Sequence, residues 1–218
     1  MMVTVVPLPA VGFTQCDFDP IRPRDTNRME SRRTEAQSFG TPYWVAKYTA
    51  ARMSYVEFGL LDAFMMSAGD DGEVFTAYDV FRPRPVLMDT GAPLSGTKAA
   101  GGAFNGDGGL QSITDALTIV VNGLPAGFQL SPGDYVEIRK SASIRSLHRI
   151  KTAATANSSG IVTLSIKFAL DLQNFTLPCT VHFEKPSCLM QIDPGSWSGP
   201  KSWANRSPSF SATEVFFS

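Results

Sequence analysis

The stretch that most constrains the fold runs over residues 54–79, SYVEFGLLDAFMMSAGDDGEVFTAYD. Ser54 followed three residues later by Glu57 forms a capping box. The serine hydroxyl takes a free N–H of the first helical turn, and the glutamate reaches back to the serine N–H. Behind it, Val56, Leu60, Leu61, Phe64 and Met65 recur at helical spacing and predict one apolar face. Gly69 and the run Asp70-Asp71-Gly72 stop the helix and turn the chain. Val74, Thr76 and Tyr78 then alternate with Phe75 and Ala77 as in a strand. Upstream, residues 43–49 (YWVAKYT) read as another strand. The unit is therefore strand, one short helix, strand, in a chain that otherwise reads as β.

The chain has 218 residues, room for one large β domain or two small ones. Its 43% apolar and 18% charged residues suit a globular protein rather than a disordered one. A formal net charge of −1 argues against a basic surface built for nucleic acid. Cys16, Cys179 and Cys188 are widely spaced and odd in number, which gives no disulfide framework. They read as small buried hydrophobes. A metal site of three thiolates with His182 as the fourth ligand is the alternative. No apolar run reaches the length of a membrane span. MMVTVVPLPAVGF lacks the basic start and long apolar core of a signal peptide, and predicts an extended segment or first strand.

Residues 13–18 predict a strand closed by Asp19-Pro20. IRPRDTNRMESRR follows, with Arg22, Arg24, Arg28, Arg32 and Arg33. Asp25, Glu30 and Glu35 are interleaved, so the segment reads as a solvated loop and strand. Its arginines are expected to pair with carboxylates of this chain or of a neighbouring subunit. FRPRPVLM reads as an edge or linker, because Pro83 and Pro85 cannot donate to a ladder. The glycine-rich residues 89–109 fit neither the phosphate-loop nor the dinucleotide pattern. They predict a flexible connection or an extended surface loop. From Leu117 a strand series begins: LTIVVNGL into Asn122-Gly123, Pro132-Gly133-Asp134 into 135–138, 144–150, the turn 157–160, and 161–168. Val162, Leu164, Ile166 and Phe168 are expected on one side of the last. Four or five short strands suggest a small barrel of roughly 60–70 residues, near the lower limit for an independent core. Residues 180–184 read as a strand and 187–208 as irregular. The closing SFSATEVFFS is too apolar to stay exposed. Pairing it into the first β domain makes the barrel an insertion.

The expected architecture is thus mainly β. A β-sandwich or barrel domain with one short helix, residues 1–95 and 181–218, carries an inserted OB-like or SH3-like barrel, residues 96–180. No catalytic constellation is visible. His148 and His182 are the only histidines. There is no G-x-S-x-G elbow, no H-E-x-x-H and no EF-hand loop. Asp70 and Asp71 sit in a turn, where they cap and solvate.

Four features in order resemble distal tail proteins of long-tailed bacteriophages and related tail proteins of gene transfer agents. They are YWVAKYTA before a helix of pattern x-x-L-L-D-A-F-x-x-x-x-G and a strand opening E-V-F; residues 131–136, SPGDYV; the strand, glycine turn and strand across 144–166; and the C-terminal aromatic strand with Glu214. The resemblance covers most of residues 30–218. The barrel end near 166–170 departs from the proline-containing end of relatives. The resemblance implies a structural virion protein at the tail tip, made in the host cytoplasm, with no catalytic residue and no cofactor. It implies a ring, usually sixfold, between the tail tube protein and the tail-tip hub protein, near the tape measure protein. Neither nucleic-acid sequence recognition nor a membrane enters that role. Expected interface residues are Arg22, Arg24, Arg28, Arg32, Arg33, Trp197 and Trp203, with Phe13, Phe18 and Phe39 as further aromatic candidates. The competing readings are a receptor- or carbohydrate-binding tail module and a cell-wall hydrolase.

Overall fold

The computed structural model describes residues 3–30, 33–68, 73–202 and 206–217. The expected turn at Gly69, Asp70, Asp71 and Gly72 lies outside the described residues. The chain begins with strands β1 (Thr4–Pro7), β2 (Phe13–Ile21), β3 (Arg24–Arg28), β4 (Thr34–Ser38) and β5 (Tyr43–Ala50), helix α1 (Tyr55–Ser67) and strand β6 (Glu73–Ala77). There follow β7 (Gly96–Thr97), β8 (Ala103–Phe104), β9 (Asp107–Asp115), β10 (Thr118–Asn122), β11 (Gln129–Leu130) and β12 (Tyr135–Arg139). The chain then forms β13 (Arg145–Ile150), β14 (Ala154–Thr155), β15 (Val162–Lys167), β16 (Thr180–His182), β17 (Cys188–Ile192) and β18 (Ser209–Glu214). The fold is mainly β with one α-helix among the described residues, as the sequence predicts.

Two compact units form. One takes Pro9–Glu73 and Met190–Val215; the other takes Val74–Leu189 with the chain up to Leu8 and the last residues from Phe216. In the first, the strands lie antiparallel in the order β17-β18-β5-β2. Pro20 is tolerated inside β2 because that strand is the sheet edge. Trp44, Ala46, Tyr48 and Ala50 of β5 are buried at the period of two that a strand imposes. Phe210 of β18 lies 5.2 Å from the Tyr48 ring and 6.1 Å from Phe64 of α1, so the helix packs on this face. The C-terminal strand gives Phe210 and Ala212 to that core, as expected of an apolar last strand, but Phe216 beyond its end is 56% exposed rather than buried.

The capping box of α1 is present: Ser54 Oγ accepts from the Glu57 N–H, and Glu57 Oε2 accepts from the Ser54 N–H at 2.8 Å. These bonds hold the Glu57 carboxyl below its ordinary range. The buried face keeps Leu61 and Phe64 of the expected one but is turned about the helix axis. Phe58, Leu61 and Phe64 are buried, whereas Val56 is 75% and Leu60 56% exposed. The helix is apolar on several sides, so Val56 and Leu60 on one flank of Leu61 and Phe64 compete with Phe58 on the other. The flank with the larger side chain, Phe58, takes the core.

The second unit is a closed barrel in the order β10-β15-β13-β12-β16-β9. It has six strands and runs from Asp107 to His182, wider than the expected series from Leu117. Leu147, Ile150, Val162, Leu164 and Ile166 point into buried positions. Phe168 does not continue the expected face: its φ of 51° ends β15. Closure comes from β16, whose Thr180 to His182 pair with Gly109 to Asp107 of β9. Residues 181–189, expected in the first domain, therefore belong to the barrel unit. Residues 74–95 do so too, for the Glu184 carboxylate accepts from Arg84 Nε and the Leu94 N–H, both at 2.8 Å. The glycine-rich segment is not a bare connection. It folds as the β7–β8 hairpin, and Leu94 and Phe104 enter the barrel core. Gly160 fits the turn where it was expected: at φ +70° a side chain would collide with the Leu124 carbonyl.

Candidate assembly surface

Every described residue of β3 and β4 is exposed, because RDTNR and TEAQS are polar on both faces of the ribbon. Arg24 opposes Ser38, Asp25 opposes Gln37, Asn27 opposes Glu35 and Arg28 opposes Thr34. No opposite charges face each other in this register, although such a pair would stabilise the ladder. Arg24, Arg28 and Arg33 accordingly make no ion pair with any described residue. Among the described residues the expected pairing within the chain is therefore not seen for these three. Arg22 is exposed between β2 and β3, and Arg32 lies outside the described residues. Phe39, just past β4, is 71% exposed.

The same unit presents the outer stripe of α1. Tyr55, Val56, Leu60 and Met66 are all exposed apolar or aromatic side chains. Arg206 covers part of this stripe, its guanidinium 3.5 Å from the centre of the Tyr55 ring. Beside the helix is a largely apolar cavity of about 340 Å³ lined by Met65, Met66, Ile192, Pro194 and Trp197. Trp197 is half-buried. A Cβ on Gly199 would meet its ring at 2.8 Å, and Phe58 lies 6.4 Å away. Trp197 thus packs partly on its own unit. Trp203 lies outside the described residues. Phe18 stacks on Trp44 at 5.4 Å and Phe13 lies 5.3 Å from Tyr48, so these two serve the sheet rather than an open surface. Sequence reasoning missed the outer helix stripe because it assigned Val56 and Leu60 to the core.

Ser146 Oγ and His148 Nε2 are 2.9 Å apart. His148 is buried, and desolvation pushes its pKa down to about 4. No carboxylate among the described residues hydrogen-bonds the ring, so the orienting acid of a triad is missing. Asp134 supports the turn into β12, accepting from the Ser131 and Val86 N–H groups at 2.7 and 3.1 Å. Glu214 is buried in β18 and accepts from the Trp44 N–H at 2.8 Å; desolvation raises its pKa to about 8. Among the described residues no group of His, Cys, Asp and Glu is arranged to hold a metal. His182 instead bonds Asp107, Nδ1 to Oδ1, at 2.6 Å. No helix among the described residues is long and apolar enough to cross a membrane. Compared with known proteins, the chain matches no protein-family model and no curated sequence.

Proposed function

We propose that the chain is a ring-forming structural subunit of a long-tailed phage, standing between the tail tube and the tip hub. The observation that carries the reading is the surface of the sheet unit. It combines a fully exposed hairpin whose arginines have no ion-pair partner among the described residues and a helix whose outer stripe is apolar. Exposed apolar surface of this kind is costly unless another surface covers it. A heterologous contact repeated around an axis covers it in every subunit at once and closes a ring. The resemblance to distal tail proteins supplies the tail context and the expected count of six. Obligate ring contacts commonly bury over about 2,000 Å² in total, and in this reading hairpin and helix both take part.

Size-exclusion chromatography with light scattering, followed by negative-stain imaging, tests this. A closed ring of about six subunits is expected from the wild-type chain, and Val56→Asp should leave folded subunits that no longer close it. A folded monomer at micromolar concentrations that binds glycans overturns the ring and favours the receptor-binding alternative.

A further inference from the structure

We propose that the barrel unit carries a binding cleft for a phosphate-type dianion, formed by Arg139, Arg145, Lys185 and Ser187. The cleft has a volume of about 330 Å³, at the low end of small-molecule sites, and Thr76 and Tyr78 add hydroxyl groups to its wall.

Its floor is a fixed charge cluster. Glu137 of β12 is fully buried. Its Oε2 accepts from the Ser187 N–H at 2.9 Å and from Ser187 Oγ at 3.1 Å. Its Oε1 accepts from Arg139 Nε at 2.6 Å and faces Arg145 Nη1 at 3.4 Å. Arg145 is locked further by Nη2 and Nε donating to the Ala142 carbonyl at 2.8 and 3.1 Å. One carboxylate therefore serves two guanidiniums.

Lys185 adds a third cation to the wall. Its ammonium stands 5.7 Å from the centre of the Tyr78 ring and makes no hydrogen bond to any described residue. The Nη groups of Arg139 have no partner among the described residues either. Three cations against one carboxylate leave two positive charges facing the cleft. Burial already works against the charge on Arg145, so an added anion relieves a cost the protein carries without it. A planar guanidinium fork, a point ammonium and hydroxyl donors suit tetrahedral oxygens. A monoanionic carboxylate would leave one of the two charges unmatched. The cluster joins Glu137 to Ser187, fifty residues apart, and is independent of the ring reading.

The test is an amide NMR titration of the full chain at constant ionic strength, with sodium phosphate against sodium chloride. Saturable shifts at the Arg139, Lys185 and Ser187 amides are expected with phosphate alone. Lys185→Gln touches no bond of the Glu137 cluster and should weaken binding about tenfold. Arg139→Lys keeps the charge but loses the fork, and should weaken it as well. Thermal unfolding of both variants verifies that they remain folded. Glycerol 3-phosphate binding more tightly than inorganic phosphate assigns an ester as ligand; the reverse order assigns the free ion. Linear shifts up to tens of millimolar, or equal phosphate affinity in wild type and both folded variants, overturn the site.

Discussion

Leu60 and Leu61 are adjacent on α1 and differ almost completely in environment: Leu61 is fully buried and Leu60 is 56% exposed. Truncating Leu61 to alanine removes a side chain from between the helix and the sheet. The transfer loss and the residual cavity together cost about 3–4 kcal/mol. For a unit of roughly 60–100 residues each kcal/mol moves the midpoint by about 4–8 °C, so Leu61→Ala should lower Tm by roughly 12–30 °C. Leu60→Ala removes an exposed side chain and places a better helix former, so its effect should stay within about 0.5 kcal/mol. The pair is measured by thermal and urea unfolding under conditions where the protein is monomeric. The same two variants then enter the assembly assay, where Leu60→Ala should weaken ring formation while its monomer stability is unchanged. Equal costs for the two substitutions, or a cost below about 1 kcal/mol for Leu61→Ala, would refute the assignment of the buried face.

Two buried titrating groups should give the units opposite responses to pH. His148 has a folded pKa of about 4 against 6.5 when unfolded. Its contribution is complete above 6.5 and is lost as pH falls toward 4, where both states are protonated. At roughly 1.4 kcal/mol per unit the loss reaches about 3 kcal/mol at most. His148→Gln should flatten that part of the barrel unit's stability profile, and an unchanged slope sinks the idea. Glu214 has a folded pKa of about 8 against 4.5, so its contribution is complete below 4.5 and is lost as pH rises to 8. Glu214→Gln keeps a neutral acceptor for the Trp44 N–H. It should gain stability relative to wild type between pH 4.5 and 8 in urea unfolding; a constant difference across that window argues against a protonated Glu214.

The capping box was legible because both of its bonds close within three residues, and Ser54 and Glu57 carry all the information needed. The same holds for the turn where Asn157 Oδ1 accepts from the Ser159 and Ile161 N–H groups. It holds also for β15, whose alternation of Val162, Leu164 and Ile166 fixes which side is buried. These are local decisions, and local hydrogen bonding or side-chain period makes them. Leu61 and Phe64 of α1 were legible, but burying Phe58 beside them rather than Val56 and Leu60 was a tertiary decision, since either flank satisfies the helix and only its packing against the sheet, where Phe210 meets Phe64, selects one. Barrel closure was likewise decided at a distance: β16 finds β9 some seventy residues earlier, and three residues with no period of their own cannot announce that partner. The glycine-rich segment hides Leu94 and Phe104 among residues that read as linker, and their burial follows only once the barrel beneath them exists. The charge cluster on Glu137 is of the same kind. Ser187 joins it from fifty residues away, and the antiparallel pairing of β12 with β13 brings Arg139 opposite Arg145, where the buried carboxylate holds both.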